Sequence, residues 1–308
     1  MGNSKYAHVW VLQCNDCRNV YGANGCDFHI RHCPKCQDGQ AGLAVPTDRD
    51  GLVWNREEHL LVFELYNRTP FGKMHRSNPD VVRLAAILGR SANSVAYKLS
   101  NFARLDPSLQ ARGIKGMSHG AKGEVEIWQE FRLNPDLLIT ESSQVLARRT
   151  GIEIPQLLEI CDGELPPPGE EREALVRLRL KQSYFRNRVL SAYNESCCIT
   201  GLRTRPLLVA SHIVPWSEDP AQRLNPRNGL CLNALHDKAF DRGLIWIESD
   251  FVVKLSPRLD DDFVAPKTTI EWLRSFGGQP LRLPEKFSPD PELLRRHADR
   301  WRTSAHSR

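Results

Sequence analysis

The sequence predicts an α+β protein of several consecutive domains, and three observations predict it. Two paired-cysteine knuckles fall within the first forty residues. Helical amphipathic patterning with a glycine turn follows. After three consecutive prolines at 166–168, a long helix leads to short strand-like runs that carry His212, Asn228 and His236 in that order. The boundaries drawn this way are 1–45, 46–164 and 165–308. A chain of 308 residues has room for two or three domains at about 100–200 residues each. Hydrophobic content of 41% and charged content of 26% describe an ordinary globular protein. A net charge of +5 is compatible with nucleic acid but does not by itself select it. The opening residues, MGNSKYAHVWVLQCNDC, lack the apolar core of a signal peptide. No stretch approaches the roughly 18 apolar residues of a membrane span, so a cytoplasmic protein without a membrane partner is expected. Reduced thiols in that compartment make metal or burial, not disulfides, the fate of nine cysteines.

Cys14-Asn-Asp-Cys17 and Cys33-Pro-Lys-Cys36 are two C-x2-C knuckles. Each pair of thiolates curls around one side of a tetrahedral ion, and the two together close the coordination sphere. Structural zinc is therefore expected at Cys14, Cys17, Cys33 and Cys36, supplying folding energy to a segment too short for its own core. Val9 to Leu12 reads as a strand. Cys26, His29 and His32 lie between the knuckles and read as loop residues, with replacement of one cysteine as the alternative.

Trp54 to Tyr66 reads as a first helix, with Leu60, Leu61 and Phe63 to Leu65 as its apolar stripe. Asn78-Pro79-Asp80 combines a capping Asn, Pro at the first helical position and an acid near the positive end. That helix runs to Leu88 and stops at Gly89. Ser91 caps the next, which ends near Arg104. Ala85, Gly89 and Val95 resemble the spacing of a helix-turn-helix unit, and Val95, Leu99 and Phe102 share one face at i, i+4, i+7. Arg90, Ser94, Tyr97, Lys98, Asn101 and Arg104 are the candidate DNA contacts, able to bond phosphates and base edges. From Val81 through Leu105 there is no acidic residue; the alternative reading is a plain helical hairpin with a solvated face. Residues 113–124 read as a loop, and 126–131, 142–150 and 154–160 as short helices of unassigned task.

Pro166, Pro167 and Pro168 make a semi-rigid spacer. Glu170 to Tyr193 reads as a long helix, and Leu207 to Ala210 as a buried strand ending at His212. Phosphodiester hydrolysis needs a base for the water, a cation for the phosphate and a means of orienting both. Histidine suits the base because its neutral form is abundant near pH 7. A lone histidine beside apolar residues is usually structural; the ordered set is what carries information. Asn228 sits in an Asn-Gly turn signal, with Asn225 as a neighbouring competitor.

The blocks QSYFRNRVLSAYNESCCITG, LLVASHIVPW and NPRNGLCLNALHDKAFDRGL resemble the HNH endonucleases of bacterial restriction-type systems, from Gln182 to Gly243, and LPEKFSPDPELL is similar to their C-terminal part. The resemblance implies a ββα-metal fold, with strands at Leu207–Ile213 and Leu230–Asn233 and a helix from Ala234 to about Asp241. It implies catalytic roles for His212 as general base, Asn228 as the residue that holds the loop, and His236 as ligand of a divalent metal such as Mg²⁺. Two departures qualify this. Ser211 stands where many relatives place a second metal ligand before the base, and Phe240 stands where some have another His. Asp237 or Asp241 are the substitutes at hand. Cys197, Cys198 and Cys231 do not form two C-x2-C pairs and read as buried thiols.

The implied function is a metal-dependent DNA endonuclease of restriction or phage defence, with a homodimer favoured by symmetric double-strand cutting. Its rivals are a DNA-binding regulator with a degenerate nuclease domain and a recognition subunit activated by a partner.

Overall fold

The computed structural model describes residues 9–24, 32–36, 43–45, 47–113, 120–158, 160, 164–261, 267–284 and 286–305. Cys26, His29 and residues 114–119 of the 113–124 segment lie outside them, and Lys122–Glu124 of that segment are helical. Two compact units divide the chain, Met1–Leu180 and Lys181–Arg308.

In the first unit, β1 (Val9–Gln13), β2 (Val20–Asn24) and β3 (Leu43–Ala44) form an antiparallel sheet in the order β2-β1-β3. Leu12 pairs with Tyr21, and Leu12, Tyr21 and Ala23 are buried together with Cys14 and Cys33. Helix α1 (Arg56–Asn67) starts two residues later than the apolar pattern suggests. Asn55 accepts a hydrogen bond from the Glu58 N–H, and the Glu58 carboxylate accepts one from the Asn55 N–H. That reciprocal pair satisfies two otherwise orphaned donors and fixes the helix start.

Helix α2 (Pro79–Leu88) is capped by Asn78 and ends at Gly89, whose φ of 64° is the left-handed conformation that a side chain would strain. Ser91 caps α3 (Ala92–Ala103). Ala85 and Val95 are fully buried where the two helices meet, and β1 and β2 pack against this pair. The ribbon and the helices therefore share one compact body. Then come α4 (Pro107–Ala111), α5 (Lys122–Phe131), α6 (Pro135–Thr150) and α7 (Ile154–Leu157). Helix α6 begins seven residues before the expected 142–150 segment because Pro135 occupies its first turn. Phe63, Tyr66, Phe102 and Trp128 form the aromatic centre, with ring centroids 5.1–6.3 Å apart.

Helix α8 (Glu170–Ala192) carries the division between the units. In the second unit, β4 (Leu208–His212) and β5 (Gly229–Asn233) form an antiparallel hairpin in which His212 faces Gly229 and Ser211 faces Leu230. Helix α9 (Ala234–Asp241) follows directly, capped by Asn233. A second hairpin, β6 (Ile245–Ile247) with β7 (Val253–Leu255), leads to α10 (Arg258–Asp261), α11 (Lys267–Arg274) and α12 (Pro291–Ala305). Gly229 is what lets α8 reach the first hairpin, since a Cβ there would stand 2.4 Å from Val189 Cγ2 and 3.0 Å from Phe185 Cζ. Helix α12 closes the other side, where His297 stacks on Phe240 at 3.7 Å. Among the described residues no helix is long and apolar enough to cross a membrane.

Candidate active site and metal centre

The ligating sulfurs of Cys14, Cys17, Cys33 and Cys36 all lie within 4.8 Å of one another. Cys14 and Cys36 are 3.7 Å apart and Cys17 and Cys33 3.6 Å. Sulfurs bound at about 2.3 Å to one tetrahedral zinc lie about 3.8 Å apart, so the cluster is compatible with a zinc ribbon. Cys33 receives the Lys35 N–H at 3.4 Å. Burial pushes its thiol up, but the backbone N–H groups of Cys36 and Lys35 outweigh that and bring it down to about 6. His32 is exposed and stands outside the four-sulfur group.

The candidate DNA-contact face on α3 looks different in three dimensions. Arg90 is 1% exposed and its guanidinium meets the fully buried Glu58 carboxylate at 2.8 Å. It also bonds the carbonyls of Arg49, Leu52 and Val53 and lies 4.0 Å over the Trp54 ring. Lys98 is 8% exposed and pairs with Glu124 at 2.6 Å. The same carboxylate accepts Asn101 at 2.9 Å and faces Arg104 at 3.7 Å. This corrects the surface role read for Arg90 and Lys98. The acid-free window from Val81 through Leu105 is neutralised by Glu58 and Glu124, which lie outside it in sequence. Tyr97, 61% exposed, and Ser94 keep an outward position.

In the second unit, β4 delivers His212 to the wall of a cleft of about 360 Å³, lined also by Gln182, Phe185, Arg186, Val209, Ala210 and Trp216. The Phe185 ring stacks on the imidazole at 3.7 Å and 7°, and Trp216 meets it edge-on at 5.7 Å. His212 Nε2 is 3.1 Å from the Arg223 carbonyl. A carbonyl only accepts, so Nε2 carries the proton and Nδ1 keeps its lone pair. Burial lowers the His212 pKa, partly offset by the Arg223 carbonyl and the nearby Asp241 carboxylate. The Arg223 side chain holds the next turn, donating to the Trp216 carbonyl at 2.9 Å.

Asn228 is 1% exposed and fastens the loop that follows β4. Its Oδ1 accepts the Val214 N–H at 2.8 Å, and its Nδ2 donates to the carbonyls of Val214 at 3.0 Å and Gln222 at 3.2 Å. Asn225 instead caps the short turn at 226–228.

Helix α9 presents two different faces. Asp237 is half-buried and Asp241 exposed, one turn apart. The Asp237 pKa is raised, first by burial and also by Asp241, while the Ser211 hydroxyl lowers it without closing a full hydrogen bond. Neither carboxylate forms an ion pair among the described residues. His236 lies on the core face with Ala239 and Phe240 and is 1% exposed. Its ring sits 5.0 Å from both Trp272 and Phe276. Asn233 Oδ1 accepts the His236 backbone N–H at 2.9 Å, which leaves the amide Nδ2 facing His236 Nδ1 at 2.9 Å. Nδ1 is thus an acceptor, and the neutral ring carries its proton on Nε2, an enclosed atom with no partner. Burial drops the His236 pKa to about 4. His236 does not line the His212 cleft, and neither do Asp237 and Asp241; in this tautomer the His236 Nδ1 lone pair is taken by the Asn233 amide. The helical period sets Asp237 near Ser211 and Asp241 near His212, on a different face of α9 from His236. Among the described residues only the four cysteines gather three or more ligating groups around one point. Cys197, Cys198 and Cys231 are buried thiols.

Phe185, Arg186 and Trp216 join the cleft from blocks that carried the family resemblance, without a residue-level signal of their own. The first two lie in a helix whose periodicity marks them only as packing and polar positions. The i, i+4 spacing of Asp237 and Asp241 is the one legible signal for a carboxylate pair.

Residues 197–248 match the model of the HNH endonuclease family. That span takes in β4, the Asn228 turn, β5, α9 and β6, so the C-terminal unit carries an HNH endonuclease domain, and the front unit carries the four-cysteine cluster. No curated protein matches the chain.

Proposed function

We propose that this chain is a metal-dependent DNA endonuclease whose C-terminal unit hydrolyses a phosphodiester bond, acting in restriction or phage defence in the cytoplasm. The observation that carries the reading is His212: inside an HNH domain, it stands at an open cleft with its proton committed to the Arg223 carbonyl on Nε2. Its Nδ1 is then the base. As a water oxygen bonds to phosphorus, the water proton passes to Nδ1, the bond from phosphorus to the leaving sugar oxygen breaks, and that oxygen takes a proton from solvent. Phe185 and the Arg223 carbonyl fix the ring plane, and Asn228 fixes the loop that supplies that carbonyl. Asp237 and Asp241 would hold the divalent cation, their oxygen donors and unpaired charge suiting Mg²⁺ or Mn²⁺. Such a cation neutralises charge on the phosphate and the leaving oxygen.

Zinc is the ion proposed for Cys14, Cys17, Cys33 and Cys36, with a structural role because four thiolates complete its shell. The front unit would hold the DNA through the side of α3 that carries Ser94 and Tyr97, and a homodimer would place two cleavage domains on one duplex.

Supercoiled plasmid incubated with the purified chain tests the reading. Nicking or linearisation with Mg²⁺ or Mn²⁺ and none with a chelator is expected; intact plasmid under every metal tried would contradict it.

A further inference from the structure

One wall of the His212 cleft comes from α8, in the block that carries the family resemblance but ahead of residues 197–248, which match the family model. Gln182, Phe185 and Arg186 belong to α8, whereas the family match begins at residue 197. Phe185 is stacked on the imidazole, and α8 approaches the hairpin closely only because position 229 is glycine. The helix is therefore held in register with His212 by packing, and its next residue, Arg186, enters the same cleft at a fixed place.

Arg186 differs from several arginines of its unit. Arg205, Arg227, Arg296 and Arg300 each hold a carboxylate of this unit, and Arg223 holds a carbonyl. Arg186 is half-buried and engages no carboxylate or carbonyl among the described residues. Partial burial of a guanidinium without a partner costs solvation free energy that folding does not recover within the chain. A phosphate offers what is missing, since its non-bridging oxygens match the planar fork of donors two at a time.

We propose that Arg186, with Gln182 beside it, is a phosphate-binding residue of the substrate site, gripping the non-bridging oxygens of the phosphodiester that His212 addresses. This rests on the nuclease reading above. Charge on those oxygens rises as the water attacks, so the grip tightens toward the transition state and contributes to rate more than to affinity. Phe185 and Trp216 supply aromatic wall to the rest of the cleft.

The test compares the full-length wild type with Arg186→Ala, Arg186→Lys and His212→Ala on a fluorescent duplex DNA. Binding is followed against salt without divalent metal, cleavage under single turnover with Mg²⁺, and thermal stability in parallel. Arg186→Ala should slow cleavage roughly 100-fold and flatten the log–log salt slope of binding by about 0.9, one phosphate contact. Its melting temperature should match that of the wild type. Arg186→Lys should restore the slope but not the rate, because it returns charge without the fork. His212→Ala should lose cleavage and keep the slope. If the wild type cuts no DNA, the nuclease reading fails on its own, while the salt slopes still decide whether Arg186 meets a phosphate. An unchanged slope for Arg186→Ala overturns the proposal, as does a lowered melting temperature, which would make Arg186 a packing residue.

Discussion

Arg90 and Arg186 are two guanidiniums drawn away from solvent in different units, and they have opposite surroundings. Arg90 reaches the Glu58 carboxylate 32 residues away, three backbone carbonyls and the face of Trp54. Arg186 reaches none of these and faces the cleft that holds His212. In the chain both are simply basic residues in helical surroundings. The comparison teaches that a cation's partners, more than its local sequence charge, divide framework from site. Around α3, four of the six residues assigned to DNA (Arg90, Lys98, Asn101 and Arg104) turn inward to Glu58 or Glu124. On α8 the donor that packing leaves unanswered opens beside the nuclease histidine.

Stability should separate the two arginines most strongly. Arg90→Ala removes the buried one of the two arginines that pair with the fully buried Glu58 carboxylate, leaving Arg49 at 2.8 Å, and should cost about 3 kcal/mol, read as a lowered urea midpoint of the whole chain. A single variant as stable as the wild type would break the comparison at its first term. The two faces of α9 sharpen it next. Asp237→Asn should raise the Mg²⁺ concentration for half-maximal cleavage roughly tenfold or more, whereas His236→Gln should act mainly through stability, with the metal dependence of the remaining rate unchanged.

Acid should expose a further difference between buried and open groups. His297 is pushed to about 4, chiefly by burial, while an unfolded histidine titrates near about 6.5. Between those values the unfolded chain binds the extra proton, so the contribution is intact above about pH 6.5 and lost as pH falls toward about 4, by roughly 2 kcal/mol. Melting curves across that window, with His297→Phe as the flatter control, measure it. His212 must be neutral to act as a base, and its pKa is lowered by burial from 6.5. The acid limb of the single-turnover rate should therefore lie below about pH 6.5. The smallest effect is expected on α3, where Tyr97→Ala should weaken duplex binding a few-fold without altering stability.

Much of the fold was legible because its signals were local. Asn78, Gly89 and Ser91 each do in the structure what their residue types suggest, and α9 spans Ala234–Asp241 where the family resemblance placed it. The knuckle spacing anticipated the four-sulfur cluster. Asn55 with Glu58 was an equally local signal, an Asn followed three residues on by Glu, and it would have moved the start of α1 to its observed place. What stayed hidden depends on partners far apart in the chain. Nothing near Arg90 announces Glu58, and nothing near Lys98 announces Glu124, so the basic window looked exposed. The burial of His236 was hidden for a different reason: it drew attention as part of an ordered His-Asn-His set, while its helical phase groups it with Ala239 and Phe240 in the interior. The contribution of α8 to the cleft required knowing that a glycine at 229 admits Phe185 against the hairpin.

His212 is the residue on which the account turns, and single-turnover cleavage of a plasmid by His212→Ala is its most direct test. With Mg²⁺ present, the variant should bind DNA and melt like the wild type while cutting roughly 1,000-fold more slowly, the scale of a lost general base. Cleavage by the variant at the wild-type rate would remove His212 from the chemistry and contradict the account.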